Sequence, residues 1–193
     1  MAELRRITDA RTLRALAHPV RIALMEALTV GGAMTATEVG ERIGESPTTC
    51  SFHLRQLAKY GLVEEAGGGK GRARPWKPAQ LGMSIGADAD DPEGEIAAGA
   101  LARLFRERLF RRYQTWQDTK SAYPREWRDA ADDSSYLLYL TVDELAELTA
   151  EMSDLLMRRF RDRISDPARR PEGAVPVELL VISYPVEPPE QPK

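Results

Sequence analysis

The sequence predicts a mainly α chain with a small β component (α+β), and three observations lead there. In its first 60 residues, short apolar-periodic stretches begin at Asp, Thr or Ser and stop at Gly, the punctuation of successive short helices. A glycine-rich stretch at 67–71 then separates two short β-prone segments, as at the tip of a hairpin. Beyond residue 92 an apolar stripe persists for about 28 positions, and a further helix is flanked by two β-prone runs.

Each element has its own signal. Asp9 is placed to cap a helix over 9–17, with Leu13 and Leu16 at helical spacing. Pro19, which has no N–H to lose at a first helical position, starts another through Leu28, with Val20, Leu24 and Leu28 in one stripe. Thr35 and Glu38 have capping-box spacing ahead of Ala36, Val39 and Ile43, and Gly44 ends that helix. Ser46, Pro47 and Gly61 bound a helix over 47–60. Two helices joined by a tight Gly-containing turn make a helix-turn-helix.

The stretch "GGGKGRARPW" at 67–76 raises the question of a phosphate-binding loop. That loop needs Gly-Lys-Ser/Thr opening a helix. Here Lys70 precedes Gly71, and Pro75 and Pro78 forbid the helix, so the stretch is a hairpin behind the helix-turn-helix: a wing whose Lys70, Arg72 and Arg74 would lie against a nucleic-acid backbone.

Over 47–60, Cys50, Leu54, Leu57 and Gly61 gather on the packed side. The opposite side presents Thr48, Phe52, Arg55, Gln56 and Lys59, with Ser51 at its edge. Arg can pair bidentately with guanine and Gln with adenine, and a Thr methyl or Phe can pack on the thymine methyl. A solvated helix face is the plain alternative, but an exposed Phe52 among polar groups argues for contact. His53, between the two sides, reads as a packing or phosphate-contacting residue, and Cys50 as a small buried hydrophobe.

"LRALAHPVRIALMEAL", "TATEVGERIGESPTTCSFHLRQLAKYGLVEE" and the Gly/Arg wing ending in an aromatic resemble the ArsR-type winged helix-turn-helix transcriptional regulators over residues 9–78. The Ala-His-Pro-x-Arg entry at 17–21 and Ser-x-His-Leu-x-x-Leu at 51–57 are the more specific parts. The resemblance implies dimeric binding to double-stranded DNA, with 47–60 as recognition helix and with Arg21 and the wing on the DNA backbone. Ser46, Thr49 and His53 join them as backbone-contacting candidates. The chain departs from the metal-sensing members: with one Cys, and with His18 and His53 in separate helices, it has no ligand set of their usual kind, and no cofactor is expected.

The domains expected are a DNA-binding unit at 1–80, an acidic linker at 81–92, a dimerisation and effector unit at 93–184, and a Pro-rich mobile tail at 185–193. In "GADADDPEGE", Asp88 and Asp90 suggest a calcium loop, but Pro92 and Glu93 stand where a ligand and the required glycine belong. A helix over 93–120, longer than the chain's own core needs, is expected to pair with its twin across a two-fold axis, with a core helix of the C-terminal unit as the plain alternative. The C-terminal unit reads as that helix followed by a strand (136–140), a helix capped by Thr141 and Glu144, and a strand (175–184). Tyr113, Trp116, Trp127, Tyr136 and Tyr139 would line a pocket for an unidentified small-molecule effector, or else are core.

Composition agrees with a binding protein. The net charge of −3 divides into 12 basic against 8 acidic residues over 1–80, and 15 against 22 over 81–193, so the first part can face a polyanion that the second repels. A single cysteine suits a reducing cytoplasm, and no apolar run reaches membrane-spanning length. No Ser/His/Asp grouping, metal cluster or nucleotide loop suggests an enzyme. The competing reading is a winged-helix protein-interaction module that docks through Phe52 and does not bind DNA.

Overall fold

The computed structural model of the chain describes residues 5–67, 74–80, 82–88 and 90–188; Lys70 and Arg72 of the wing, and tail residues 189–193, lie outside these. Its described residues are mainly helical with a few short strands, the α+β class read from the sequence.

The expected caps form. Asp9 accepts from the Thr12 N–H at 2.8 Å and starts α1 (Ala10–Leu16). His18 Nδ1 accepts from the Val20 N–H at 3.2 Å ahead of α2 (Pro19–Gly31). Thr35 and Glu38 close a reciprocal capping box on α3 (Ala36–Ile43), which Gly44 ends in the left-handed region at φ 74°. Ser46 Oγ accepts from the Thr49 N–H at 3.1 Å and opens α4 (Pro47–Lys59). Strands β2 (Val63–Glu65) and β3 (Trp76–Pro78) pair antiparallel, Glu64 opposite Lys77, and Met34 bridges to Trp76.

One pairing had no sequence signal: β1 (Arg5–Ile7) runs parallel to β4 (Met83–Ile85). The stretch read as a linker therefore contains a strand tied to the start of the chain. Helix α5 (Pro92–Thr119) then returns over α1, and its Ala97, Ala98 and Leu101 enter the core built by Leu13, Leu16, Leu24, Leu28, Leu54 and Leu57. The first turns of α5 thus belong to the N-terminal unit. Each such leucine, fully buried, contributes about 2 kcal/mol of hydrophobic stabilisation.

The C-terminal half is built differently. Two further helices, α6 (Arg125–Ala130) and α7 (Val142–Ser165), follow α5, and α7 carries the predicted Thr141–Glu144 capping box. The strands expected at 136–140 and 175–184 are absent from the described residues. A strand needs a hydrogen-bonded neighbour, and in the single chain neither run has one. No described residue after Leu101 is buried, and Tyr139 is 96% exposed. Ion pairs hold parts of this half to the rest: Arg108 and Arg112 grip Glu26 at 2.6 and 2.8 Å, Arg112 also binds Glu178, and Arg170 donates to the Val30 carbonyl at 2.8 Å.

Candidate nucleic-acid interface

Helices α3 and α4 meet at a tight turn. A Cβ on Gly40 would sit 2.7 Å from the Glu45 carbonyl oxygen, so only glycine permits this approach. The Glu45 N–H closes the turn on the Gly40 carbonyl at 3.0 Å. Cys50, Leu54 and Leu57 are fully buried on the inner side of α4, with His53 beside them at 8% exposure. Burial raises the Cys50 thiol pKa, with the Glu45 charge adding to it, so this sulfur is an apolar packing group.

The outer side of α4 is open. Thr48, Phe52, Arg55 and Lys59 are exposed, and Ser51 and Gln56 are half-buried. Phe52 is 51% exposed, its ring meeting His53 edge-on at 5.2 Å. Among the described residues no hydrogen bond or ion pair engages Arg55, Gln56 or Lys59, so their donors and acceptors are available to an incoming partner.

The residues assigned to the DNA backbone divide. Thr49 and Ser46 hydroxyls bond each other at 2.8 Å at the N-terminus of α4, where the positive end of the helix dipole favours an anion. Arg21 and His53 face inward. Arg21 donates through Nη1 to the Ala15 carbonyl and through Nε to His53 Nδ1 at 3.3 Å, so two of its donors serve the fold. His18 stacks on His53 with ring centroids 4.5 Å apart. Burial first, then the neighbouring His18 and Arg21, lower the His53 pKa, with Glu45 opposing. His53 is thus neutral at pH 7, and its role as acceptor from Arg21 places its proton on Nε2. Arg21 ties the end of α1 to α4, which the spacing at 17–21 did not reveal.

At the wing, Arg74 Nη1 donates to both carboxylate oxygens of Glu65 at 2.7 and 3.0 Å, and Lys77 pairs with Glu64 at 3.1 Å. Part of the wing's positive charge is thereby offset by its own first strand, an effect of the register Glu64 to Lys77 that composition alone does not show.

The aromatics assigned to an effector pocket are spread along the C-terminal half. Tyr113 and Trp116 are adjacent on α5, ring centroids 6.3 Å apart, with Lys120 over the Trp116 ring at 5.5 Å. Trp127, Tyr136 and Tyr139 are exposed at 39%, 79% and 96%. A shallow depression elsewhere is lined by Ile7, Met25, Leu62 and Met83. No group of three or more His, Cys, Asp or Glu among the described residues is arranged to hold a metal ion, and no helix there is long and apolar enough to cross a membrane.

A family model described as a helix-turn-helix domain matches residues 16–66. No curated protein matches the chain. Among solved structures, the chain is similar to a possible transcriptional regulator for arsenical resistance at 29% identity, covering 49% of this chain and 82% of that one, with a TM-score of 0.32. It is similar at 25% identity to the homodimeric winged helix-turn-helix DNA-binding domain of Mb0332 from Mycobacterium bovis, a possible ArsR-family regulator, over 57% of this chain and 78% of that one, TM-score 0.32. The repressor BigR from Xylella fastidiosa matches at 24% identity over 51% and 84%, TM-score 0.31. Residues 16–66 of this chain match a helix-turn-helix domain, and with the β2–β3 hairpin behind its second helix the N-terminal unit has the form of a winged helix-turn-helix.

Proposed function

We propose that the chain is a sequence-specific DNA-binding transcriptional regulator that acts as a homodimer on a pseudo-palindromic duplex site. The carrying observation is the uncovered outer side of α4, where Thr48, Phe52, Arg55 and Lys59 stand exposed beside the wing. Arg55 and Gln56 are of the right type to read base edges in the major groove, while the N-terminus of α4 and the wing, with Lys70, Arg72 and Arg74, fix the phosphates. Arg21 and His53 contribute by holding the helix at its angle. Two copies related by a two-fold axis would set half-sites about one helical turn apart. The exposed side of α5 supports this pairing: Ile96 is 74% exposed, Phe110 is 48% exposed, and nothing lies within 4 Å of a Cβ built on Gly99.

Selection of bound duplexes from a random pool tests all of this together. Enriched sites should show inverted half-sites with about 10 base pairs between centres. Failure to bind either random duplex or the gene's own upstream region at low salt refutes DNA recognition.

A further inference from the structure

The residues after Leu101 leave a contradiction. The run 136–140, Tyr-Leu-Leu-Tyr-Leu, is apolar at every position, the pattern of a strand covered on both faces, and 179–182, Leu-Leu-Val-Ile, repeats it. Yet the two runs and their immediate continuation to Tyr184 lie in water: Tyr136 79%, Tyr139 96%, Val177 73% and Leu179 64% exposed. Helix α7 between them carries a half-buried stripe through Leu145, Leu148, Met152 and Leu156.

We propose that the two runs become β-strands in a sheet shared between two copies of this chain, each copy contributing both. Strand number singles out the partner. A lone two-stranded pair is marginal in water, whereas three or more strands with helices on one face form a stable layer. One chain supplies two strands and one amphipathic helix; two chains supply four strands and two α7 helices. The area agrees. Across 136–140 and 175–184 twelve large apolar side chains are exposed, most of them by half or more. At roughly 150 Å² for a full side chain, that is on the order of 1,000 Å² per chain. A standard stable interface needs about 800 Å² per partner, and the largest apolar patch on a typical monomer is about 300–600 Å². Both runs start from neighbouring points on α5: Asp133 accepts from the Tyr113 hydroxyl, and Glu178 from Arg112. They are therefore tethered beside α5.

This inference rests on the two-fold assembly proposed above and is independent of DNA contact. Hydrogen exchange of the full chain, with light scattering on the same samples, tests it. Particles of twice 21.5 kDa should form, with the amides of 137–140 and 177–182 slowed at least tenfold relative to an unstructured chain and released on dilution to monomer. Chains carrying Tyr139→Cys, mixed with chains carrying Val181→Cys and treated with a bismaleimide, should give a covalent dimer; the parent, whose Cys50 is buried, should not. Monomers of 21.5 kDa at tens of micromolar overturn both the sheet and the two-fold assembly. A dimer whose amides in these runs exchange at the unstructured rate overturns the sheet alone.

Discussion

Replacing Gly40 by alanine should loosen the junction on which the recognition helix depends. The added methyl meets the Glu45 carbonyl oxygen at 2.7 Å, well inside contact distance, and the Cys50 sulfur at 3.5 Å. The obstructing atom is backbone, fixed by the Glu45 N–H bond to the Gly40 carbonyl, so relief requires α3 and α4 to separate. Overpacking of this kind costs about 1–3 kcal/mol. Alanine's better helix propensity returns about 1 kcal/mol, leaving a net loss of up to about 2 kcal/mol. In the monomer, the same substitution at Gly99, exposed on α5 with nothing within 4 Å, carries only the propensity gain and should stabilise the chain by about 0.5–1 kcal/mol. Urea unfolding of parent, Gly40→Ala and Gly99→Ala measures both, and the midpoints should move in opposite directions. DNA affinity measured below the transition should fall for Gly40→Ala, because α4 shifts against the wing. A Gly40→Ala protein at least as stable as its parent, with unchanged affinity, would show that the turn is not closed as described.

Arg55→Ala should relax base preference at one position of the selected site by ~1–3 kcal/mol, read as relative affinities for single-base variants, with other positions unchanged. Glu65→Gln releases Arg74 from its pair and should strengthen binding to all duplexes alike, steepening the slope of log affinity against log salt by up to about 1. Because its pKa is lowered in the folded chain, His53 leaves the unfolded state holding more protons as pH falls below its ordinary value, so stability should drop as pH is lowered from that ordinary value through the depressed one. His53→Gln, which keeps an acceptor for Arg21, should flatten this pH dependence in denaturant titrations at pH 7.5 and 5.5, two values on either side of the ordinary histidine pKa of about 6.5.

Where a structural choice was local, the sequence announced it. Asp9, Thr35, Ser46 and Thr141 all accept the N–H bonds their positions implied, because a cap involves residues only three apart. The inner side of α4 followed from the 100° spacing of Cys50, Leu54 and Leu57, and the hairpin from its glycines. Long-range choices were hidden. β1 and β4 are three residues each and nearly 80 apart, too short for any periodicity to mark them, and nothing near Ala97 or Leu101 shows that these residues enter the DNA-binding core. Arg21 entered as a backbone-contact candidate through the resemblance at 17–21, whereas its acceptors within the chain, the Ala15 carbonyl and His53, are set by folding. The run 136–140 was legible as a strand by composition, but a composition specifies no neighbour to pair with.

Helix α5 is rooted in one half of the molecule and ends in the other. At 1.5 Å per residue its 28 residues form a rod of about 42 Å. Its Ala97, Ala98 and Leu101 seat against α1, with Glu26 clamping Arg108 and Arg112 farther along. A tilt of only 5° about that seat sweeps Thr119, about 27 Å along the rod, through roughly 2–3 Å. The rod is therefore a lever whose short arm lies in the headpiece: a modest displacement at Thr119 arrives at α1 as a small rotation. Glu26 is the catch that resists it.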